Sequence, residues 1–401
     1  IFLFFLPLYE APKNIFSVLF VVFGIWVAIR NRVFFKCSRL DQVVVLFFLL
    51  LAVSPFVAGI NSPYVEPGER FASALNWSLM PLVALVLMMS EWSRDQILWM
   101  LRVVCLGTVL AVLQAFYDWS GPYPELNSVG HVNQSALYLA FSLIPAGLLY
   151  LYRQYQADFA LVGVAVLSVI WYQGPAQSMI GFGATILGIA GVWIIYCISR
   201  KTLKMLGVSF VLGAVAIISA VNLPPTFFGP YEGFKREFDE RLASKSDPYS
   251  QRDRLLNSAL EVAGDSLLGF GLGSFGRAVE QQNIRAAVER RGGDWVSERG
   301  SFFSSAHGHN IFTNVLVERG WLGVFATGCF LLCMMIAFLI QIKNESAQVG
   351  LITIIVICVA GLGQSTLHVE HGQLAFLCLA LCLKLVTRAT NFERAQLGAE
   401  L

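Results

Sequence analysis

Two histidines stand at the start of an apolar segment, where side chains able to transfer protons can act near a bilayer surface. The stretch "AHGHN" places His307 and His309 one residue apart, directly before the apolar run that begins at residue 311. Imidazole has an unperturbed pKa of about 6.5, which suits proton transfer at neutral pH. The pair therefore indicates a general base, and a capping or packing role is the alternative for His309.

Metal binding is the second chemistry that these spacings suggest. H-x-H at 307–309 has no cysteine or acidic cluster beside it. H-x-x-H at 368–371 has one acidic residue, Glu370, between its two histidines. Neither stretch is the H-E-x-x-H zinc motif. The sequence therefore predicts no metal site and no cofactor.

The composition is that of a membrane protein. Hydrophobic residues make up 56% of the 401 residues and charged residues 13%, with a mean hydropathy of +0.65. Soluble domains are about a quarter charged. The net charge of +2, without a basic stripe, argues against a nucleic-acid partner. We therefore expect the chain to lie among membrane lipids.

Twelve apolar runs are candidates for membrane crossings, which take roughly 20 apolar residues each. They lie at 1–9, 14–30, 42–59, 70–90, 95–117, 134–152, 157–172, 176–198, 203–221, 311–342, 348–364 and 372–388. Because helices satisfy their own backbone in lipid, the predicted fold is all-α and polytopic. The first run has no Met and no charged leader before it, so we expect a truncated helix rather than a signal peptide.

The runs divide the chain into three regions. Residues 1–221 hold helices one to nine, 222–310 form a large hydrophilic segment with short amphipathic helices, and 311–401 hold helices ten to twelve with a cytoplasmic tail. Lys and Arg cluster in alternate short loops, which places those loops in the cytoplasm. The other loops then face outward, into the periplasm of a bacterial inner membrane. All five histidines fall on that outward side: His131, His307, His309, His368 and His371.

The local structure of two stretches of the hydrophilic segment can be predicted from their sequence. "DRLLNSALEVA" (253–263) predicts an amphipathic helix whose apolar stripe is Leu255, Leu256, Leu260 and Ala263. "GFGLGSFG" (269–276) is neither a dinucleotide-binding nor a Walker sequence. We interpret it as a tight turn that dips toward the membrane, rather than as a phosphate-binding loop.

Three motifs resemble the O-antigen ligase family. "HNIFTNVLVERG" (309–320) matches that family's His-Asn, nine-residue spacer, Gly pattern, and "WLGV" continues it. "RDRLLNSALEVAGDSLLGFGLGSFG" (252–276) is similar to its Arg, helix and glycine-rich segment. "VGHVNQSALYLA" (129–140) resembles its outward loop and helix start. The three motifs occur in the family's order, and each alone is modest.

The resemblance implies a glycosyltransferase with a GT-C-like fold and a periplasmic active site. Such ligases move O-antigen from undecaprenyl diphosphate to a sugar hydroxyl of lipid A–core, without metal, during lipopolysaccharide maturation. An O-antigen polymerase or an O-oligosaccharyltransferase of the same superfamily is the alternative. A polytopic lipid-linked glycan transporter is the non-enzyme alternative. A transporter usually holds ionisable residues at mid-membrane, and we expect almost none in these helices.

The resemblance also assigns roles to residues. His309 is the expected base for the acceptor hydroxyl, because Asn310 and Gly320 fix its register, and His307 is an orienting or bystander group. Arg252 and Arg254 are the candidates for contact with the diphosphate, which an arginine binds bidentately. On a helix these two side chains point about 200° apart, so one of them is expected to face the substrate.

The remaining expected substrate contacts lie upstream. His131 and Asn133 belong to the "GHVN" stretch. Met179 stands where the family has an arginine for the diphosphate, within "GPAQSMIGFG" (174–183), and a methionine has neither charge nor N–H donor. Gln177 is one candidate to compensate for that loss. The other candidates are Arg70, Arg236 and Arg254.

Overall fold

The fold is known from a computed structural model. It describes residues 1–32, 39–60, 62–120, 123–176, 178–199, 201–202, 248–282, 310–367 and 369–399. The predicted helix at 203–221 and most of the hydrophilic segment lie outside these ranges, as do His307, His309, Gln177 and Arg236.

The described residues are almost entirely helical and form no strand. The helices are α1 (Phe2–Phe5), α2 (Glu10–Arg30), α3 (Arg39–Val57), α4 (Pro67–Met89), α5 (Arg94–Tyr117), α6 (Val132–Tyr152), α7 (Gln156–Ala176), α8 (Met179–Ser199), α9 (Pro248–Gly264), α10 (Ile311–Ile340), α11 (Glu345–Gly361) and α12 (Val369–Ala399).

Eight of these helices are long and apolar enough to cross a membrane. They are α2, α4, α5, α6, α7, α8, α10 and α12, and the shorter α3 and α11 are apolar as well. The chain is therefore an all-helical, polytopic membrane protein. The observed set differs from the twelve predicted crossings, since α1 has only 4 residues and α9 belongs to the hydrophilic segment.

The bundle is organised around α6 and α12, which are buried almost throughout. α6 packs against α5, α7, α8 and α12, and α12 packs in addition against α4 and α11. Large side chains such as Tyr138, Phe141 and Phe376 fill this centre without exposure. The peripheral α2 leaves most of its apolar residues exposed, as expected for a helix that faces lipid.

The bundle has two chemically different ends. The end that holds residues 62–66, 123–131, 266–273 and 362–367 we call the loop end. The opposite end, which we call the basic end, holds the short turns with Arg30, Arg94, Arg153 and Lys343. The two described histidines, His131 and His371, both lie at the loop end, one at the start of α6 and one in the first turn of α12.

Several helix boundaries differ from the predicted ones. The predicted first run, 1–9, contains a helix only at Phe2–Phe5, and α2 begins at Glu10 instead of residue 14. α7 extends to Ala176, and α12 continues to Ala399, far past the predicted end at 388. Hydropathy marks the apolar part of a helix, whereas the backbone continues through polar residues for as long as helical hydrogen bonds form.

Candidate functional site

The glycine-rich segment 266–273 docks on α10 through backbone hydrogen bonds. The N–H of Phe270 donates to the carbonyl of Val317 at 2.9 Å, and that of Gly271 to the carbonyl of Glu318 at 2.8 Å. The N–H of Gly273 donates to Oε1 of Glu318 at 2.9 Å. Because these donors are used within the protein, the segment does not cradle phosphate. The predicted tight turn is confirmed.

The close approach depends on glycines from both chain segments. Gly269 and Gly320 both have positive φ, +70° and +64°. A Cβ on either would lie less than 3.0 Å from backbone atoms of the other segment, which real Cβ atoms do not show. Gly320 has non-helical backbone angles inside α10. The backbone N–H of the next residue, Trp321, donates to the carbonyl of Leu267 at 3.0 Å. The docked segment thus replaces the helical hydrogen bond that is lost at the break.

The break at Gly320 also redirects the first part of α10. A straight helix of 30 residues would be about 45 Å long, and the 17 residues of α11 about 26 Å. A four-residue turn joins these helices, so the start of a straight α10 would extend well past the end of α11. Ile311 nevertheless lies beside Gly361, the last residue of α11: a Cβ added to Gly361 would be 2.8 Å from Cγ2 of Ile311. Residues 311–319 therefore change direction relative to 321–340 at Gly320. The apolar helix predicted at 311–342 is observed as Ile311–Ile340, with this break inside it.

The helical prediction for 253–263 is confirmed within α9. Its predicted apolar stripe holds at Ala263 and fails at Leu256 and Leu260, and the side chain of Leu255 lies outside the described residues. Leu256 and Leu260 are 40% and 49% exposed, whereas Ala259, Val262 and Ala263 are buried. Small side chains on this face let α9 pack closely against α10, and Val317 of α10 belongs to the same cluster as Ala259. Residue size rather than hydrophobicity thus selects the buried face.

Asn310 fixes the start of α10. Its Oδ1 accepts hydrogen bonds from the backbone of Phe312 at 2.8 Å and of Thr313 at 3.4 Å, which is the geometry of a helix cap. Its Nδ2 donates to the carbonyl of Leu362 at 3.4 Å. The amide therefore ties the beginning of α10 to the loop at 362–367.

The predicted arginines and Met179 are located by their backbone alone. Arg252 and Arg254 lie in the first two turns of α9, and Met179 is the first residue of α8. Ser178 is buried and accepts a hydrogen bond from the N–H of Gly181 at 3.2 Å, so the start of α8 is capped.

His131 caps a helix in this structure. It is exposed, it is the residue before α6, and its Nδ1 accepts a hydrogen bond from the N–H of Asn133 at 3.3 Å. The hydroxyl of Ser135 donates to the carbonyl of Gly130 at 2.8 Å and closes the same turn. These two hydrogen bonds stay within residues 130–135, whereas the other two motifs pack on each other through α9, the glycine-rich segment and α10.

Arg70, proposed as a compensating cation, is engaged at the end of α3. Its Nη1 donates to the carbonyl of Gly59, whose own N–H donates to the carbonyl of Leu268 at 3.4 Å. Arg70 thereby helps to hold the docked glycine-rich segment. It remains partly exposed.

Buried charges occur at the loop end of the bundle, not at the mid-membrane positions where the sequence predicts almost none. Lys13 of α2 and Glu370 of α12, 3% and 5% exposed, form an ion pair across 357 positions of sequence. Glu318 and Arg319 of α10 are 2% and 3% exposed. In the sequence these residues are one adjacent pair within an apolar run and two isolated charges beside other runs, a signal that hydropathy averaging removes.

Arg319 is the unusual member of this set. Its guanidinium lies 4.1 Å from the ring centre of Trp77, and Nη2 is 3.5 Å from Oγ1 of Thr327, while Nη1 has no hydrogen-bond partner. Burying an ion costs several kcal/mol, more than the roughly 2 kcal/mol that a desolvated cation–π contact returns. The stacking on Trp77 therefore does not by itself account for the burial of this charge.

A narrow cleft of about 10 Å³, room for about one water molecule, lies between residues 311–319 and the bundle. Trp77, Leu272, Ser365 and Leu367 line one side, and Ile311, Asn314, Val315, Glu318 and Arg319 line the other. Nδ2 of Asn314 donates to Oγ of Ser365, and Nε1 of Trp77 donates to the carbonyl of Leu367 at 3.1 Å. The cleft thus has polar groups at the Asn310 end and a cation at the Gly320 end. In the part of the chain that the structure describes, no group of three side chains is arranged to hold a metal ion.

The fold and this site define a polytopic helical membrane protein with a broken helix and a docked glycine-rich segment at one end of the bundle. No protein-family model matches the chain, and no curated protein matches it either.

Proposed function

We propose that the protein is a glycosyltransferase of the O-antigen ligase type. It transfers a glycan from undecaprenyl diphosphate to a sugar hydroxyl of lipid A–core, at the periplasmic face of a bacterial inner membrane. The observation that carries the proposal is the docking of segment 266–273 on Val317, Glu318 and Trp321. Two of the three motifs behind the family resemblance, about fifty residues apart in sequence, pack as one unit at the loop end.

The proposed reaction uses His309 as the general base. As the acceptor hydroxyl attacks the anomeric carbon, His309 takes its proton, and the bond between that carbon and the diphosphate oxygen breaks. Asn310, which follows the proposed base in the sequence, supports this role because it anchors the beginning of α10 to residues 362–367.

The leaving undecaprenyl diphosphate gains negative charge. In this proposal, guanidinium groups on α9 stabilise that charge. Arg252 and Arg254 lie at the end of α9 that begins the docked unit, and a helical backbone separates their directions by about 200°. Guanidinium groups stabilise such charge without a metal. The protein is accordingly proposed to be metal-independent.

A lipid-linked glycan transporter is the second candidate, and the buried charges favour it. Lys13, Glu370 and Arg319 are charged side chains inside the bundle, which is a feature of transport proteins. They lie toward the loop end instead of at the midpoint of the helices, which is better suited to chemistry at one membrane face.

The acceptor distinguishes a ligase from a polymerase, because both handle the same donor. The test supplies purified protein with an undecaprenyl diphosphate-linked glycan and, in separate reactions, lipid A–core or a second lipid-linked glycan. A ligase extends lipid A–core alone. Extension of the second lipid-linked glycan instead identifies a polymerase and refutes the ligase assignment.

A further inference from the structure

The part of α10 after the break has one apolar stripe on its outer side. Between residues 321 and 340, the exposed large apolar side chains recur with the period of the helix, so they share one face. They are Trp321, Phe325, Leu332, Ile336, Leu339 and Ile340. Because the chain is a polytopic membrane protein, this stripe is the side of α10 that faces lipid.

The length of this part of α10 indicates the level of Trp321 in the bilayer. Residues 321–340 have a helical length of about 30 Å, which equals the thickness of the hydrocarbon core. A helix of that length places its two ends at the two boundaries between acyl chains and headgroups. Trp321, the first residue after the break, therefore lies at the boundary on the loop-end side. Tryptophan is enriched at this level in membrane proteins.

The docked glycine-rich segment brings Leu267 to the same level. The N–H of Trp321 donates to the carbonyl of Leu267 at 3.0 Å, so the two backbones touch. Ser266 closes the turn that presents Leu267, because its hydroxyl donates to the carbonyl of Gly269 at 2.9 Å. Leu267 is 71% exposed and Trp321 is 52% exposed. The lipid-facing stripe of α10 therefore continues onto the docked segment.

α9 adds two further exposed leucines beside this turn. Leu256 and Leu260 are one helical turn apart and lie on the same flank of α9, next to the face that buries Ala259. Glu261 is exposed as well, but it lies about 100° from Leu260 around the helix axis. α9 is thus apolar where it packs on α10 and on one flank, and it is polar on the opposite flank.

We propose that Leu256, Leu260 and Leu267 form a surface, the leucine patch, that inserts into the lipid leaflet at the loop end. Bilayer lipid is the partner, because the patch is continuous with the lipid-facing stripe of α10 through Trp321. Amphipathic helices in this position bury their apolar side about 5–10 Å into the boundary between headgroups and acyl chains. The patch is independent of the chemistry proposed above, since lipid contacts it whatever reaction occurs at the loop end.

The test measures the surroundings of the patch in the purified full-length protein, reconstituted in phosphatidylcholine nanodiscs. An environment-sensitive fluorophore is attached to Leu260→Cys and, in a separate variant, to Leu267→Cys. Wild-type protein treated in parallel gives the background from native cysteines. Both labels are expected to lose most of their fluorescence to a phospholipid that carries a spin label near its headgroup. They are expected to lose less to a spin label at the end of the acyl chain, and little to iodide in the water.

Glu261→Cys is the matched control, because Glu261 is exposed on the polar flank of the same helix. Its label is expected to be quenched by iodide and hardly by the spin-labelled lipids. If one leucine variant does not fold, Leu256→Cys replaces it, since Leu256 belongs to the same patch.

Two results would overturn the inference. Iodide quenching of the patch labels equal to that of Glu261→Cys would show that the patch lies in water. Protection from both iodide and lipid would show that protein covers it, either a second copy or another segment of this chain. Lipid quenching in a protein that transfers no glycan refutes the proposed function alone, and iodide quenching in a protein that does transfer glycan refutes this inference alone.

Discussion

His309 is the residue on which the proposed chemistry depends, and it directly precedes Asn310 in the sequence. Asn310 caps α10 and contacts Leu362, so the chain enters the helix from one defined point. We predict that His309→Ala abolishes glycan transfer while the protein still expresses and inserts, because the acceptor hydroxyl loses its base. The measurement is ligated polysaccharide on a gel from cells that carry each variant.

His307→Ala is the control for that experiment, since it removes a neighbouring imidazole two residues away. It is expected to reduce ligation less than His309→Ala. Wild-type ligation in His309→Ala would contradict the assignment of the base, and equal loss in both variants would contradict the distinction between base and orienting group.

Arg252 gives the second prediction at this scale. A guanidinium aimed at the leaving diphosphate stabilises the transition state more than the ground state. Arg252→Ala should therefore lower turnover by roughly 10²-fold, by analogy with the loss of one oxyanion donor. Arg252→Lys should restore part of it, because an ammonium keeps the charge and loses the bidentate fork.

Arg254→Ala tests the register of α9, because both residues lie in one helix and positions two residues apart on a helix are about 200° apart around its axis. Turnover of purified protein with a lipid-linked donor is the measurement. Normal turnover in Arg252→Ala together with a large loss of turnover in Arg254→Ala would contradict the assignment and show that Arg254 contacts the diphosphate.

At the scale of elements, the break in α10 and the docked glycine-rich segment form one structural unit, because each requires the close approach of the other. Gly320 has φ +64°, and an added Cβ would lie less than 3.0 Å from the backbone of Leu267, Leu268 and Gly269. We predict that Gly320→Ala lowers stability, with about 1–3 kcal/mol from the backbone conformation alone, and abolishes transfer. Thermal unfolding of the purified protein in detergent measures the loss.

Gly328→Ala is the matched control on the same helix. Gly328 is exposed and has no heavy atom within 4 Å of its added Cβ, so alanine is expected to be neutral or slightly stabilising there. An unchanged melting temperature in Gly320→Ala would contradict the docking that supports the proposed function.

Sequence patterns predicted the apolar helices well where a long hydrophobic run is bounded by capping residues. α5 begins one residue from its predicted start, where Ser93 and Gln96 form reciprocal cap hydrogen bonds. α6 likewise differs from prediction by two residues at its start. In these elements local hydrogen bonding and hydropathy agree, so the sequence suffices.

Features that depend on distant parts of the chain were not predictable in this way. Gly320 fixed the register of a motif, but only the contact with Gly269 explains its backbone conformation. Lys13 pairs with Glu370 across almost the whole sequence. The exposed Leu256 and Leu260 show that the buried face of α9 is chosen by close packing on α10, which hydrophobic periodicity does not register.

At the scale of the whole molecule, the two ends of the bundle differ in charge, and this difference predicts orientation. The basic end is expected in the cytoplasm and the loop end in the periplasm. We predict that Asn127→Cys is labelled in intact cells by a thiol reagent restricted to the periplasm, and that Lys343→Cys is labelled only after permeabilisation. Both positions are exposed, at opposite ends of the bundle.

The native cysteines of the described residues are buried or half-buried, so they give a low background in this measurement. The wild-type protein is the control. Labelling of Lys343→Cys and protection of Asn127→Cys in intact cells would reverse the orientation and place the cleft in the cytoplasm.

The most direct test of the central claim, glycan transfer from a polyprenyl diphosphate, uses the purified protein in proteoliposomes with undecaprenyl diphosphate-linked glycan, lipid A–core and excess EDTA. Wild-type protein is predicted to form glycosylated lipid A–core and to release undecaprenyl diphosphate in equal amounts, and His309→Ala to form neither. Movement of intact lipid-linked glycan across the bilayer, with no transfer to any acceptor, would contradict the account and identify a transporter.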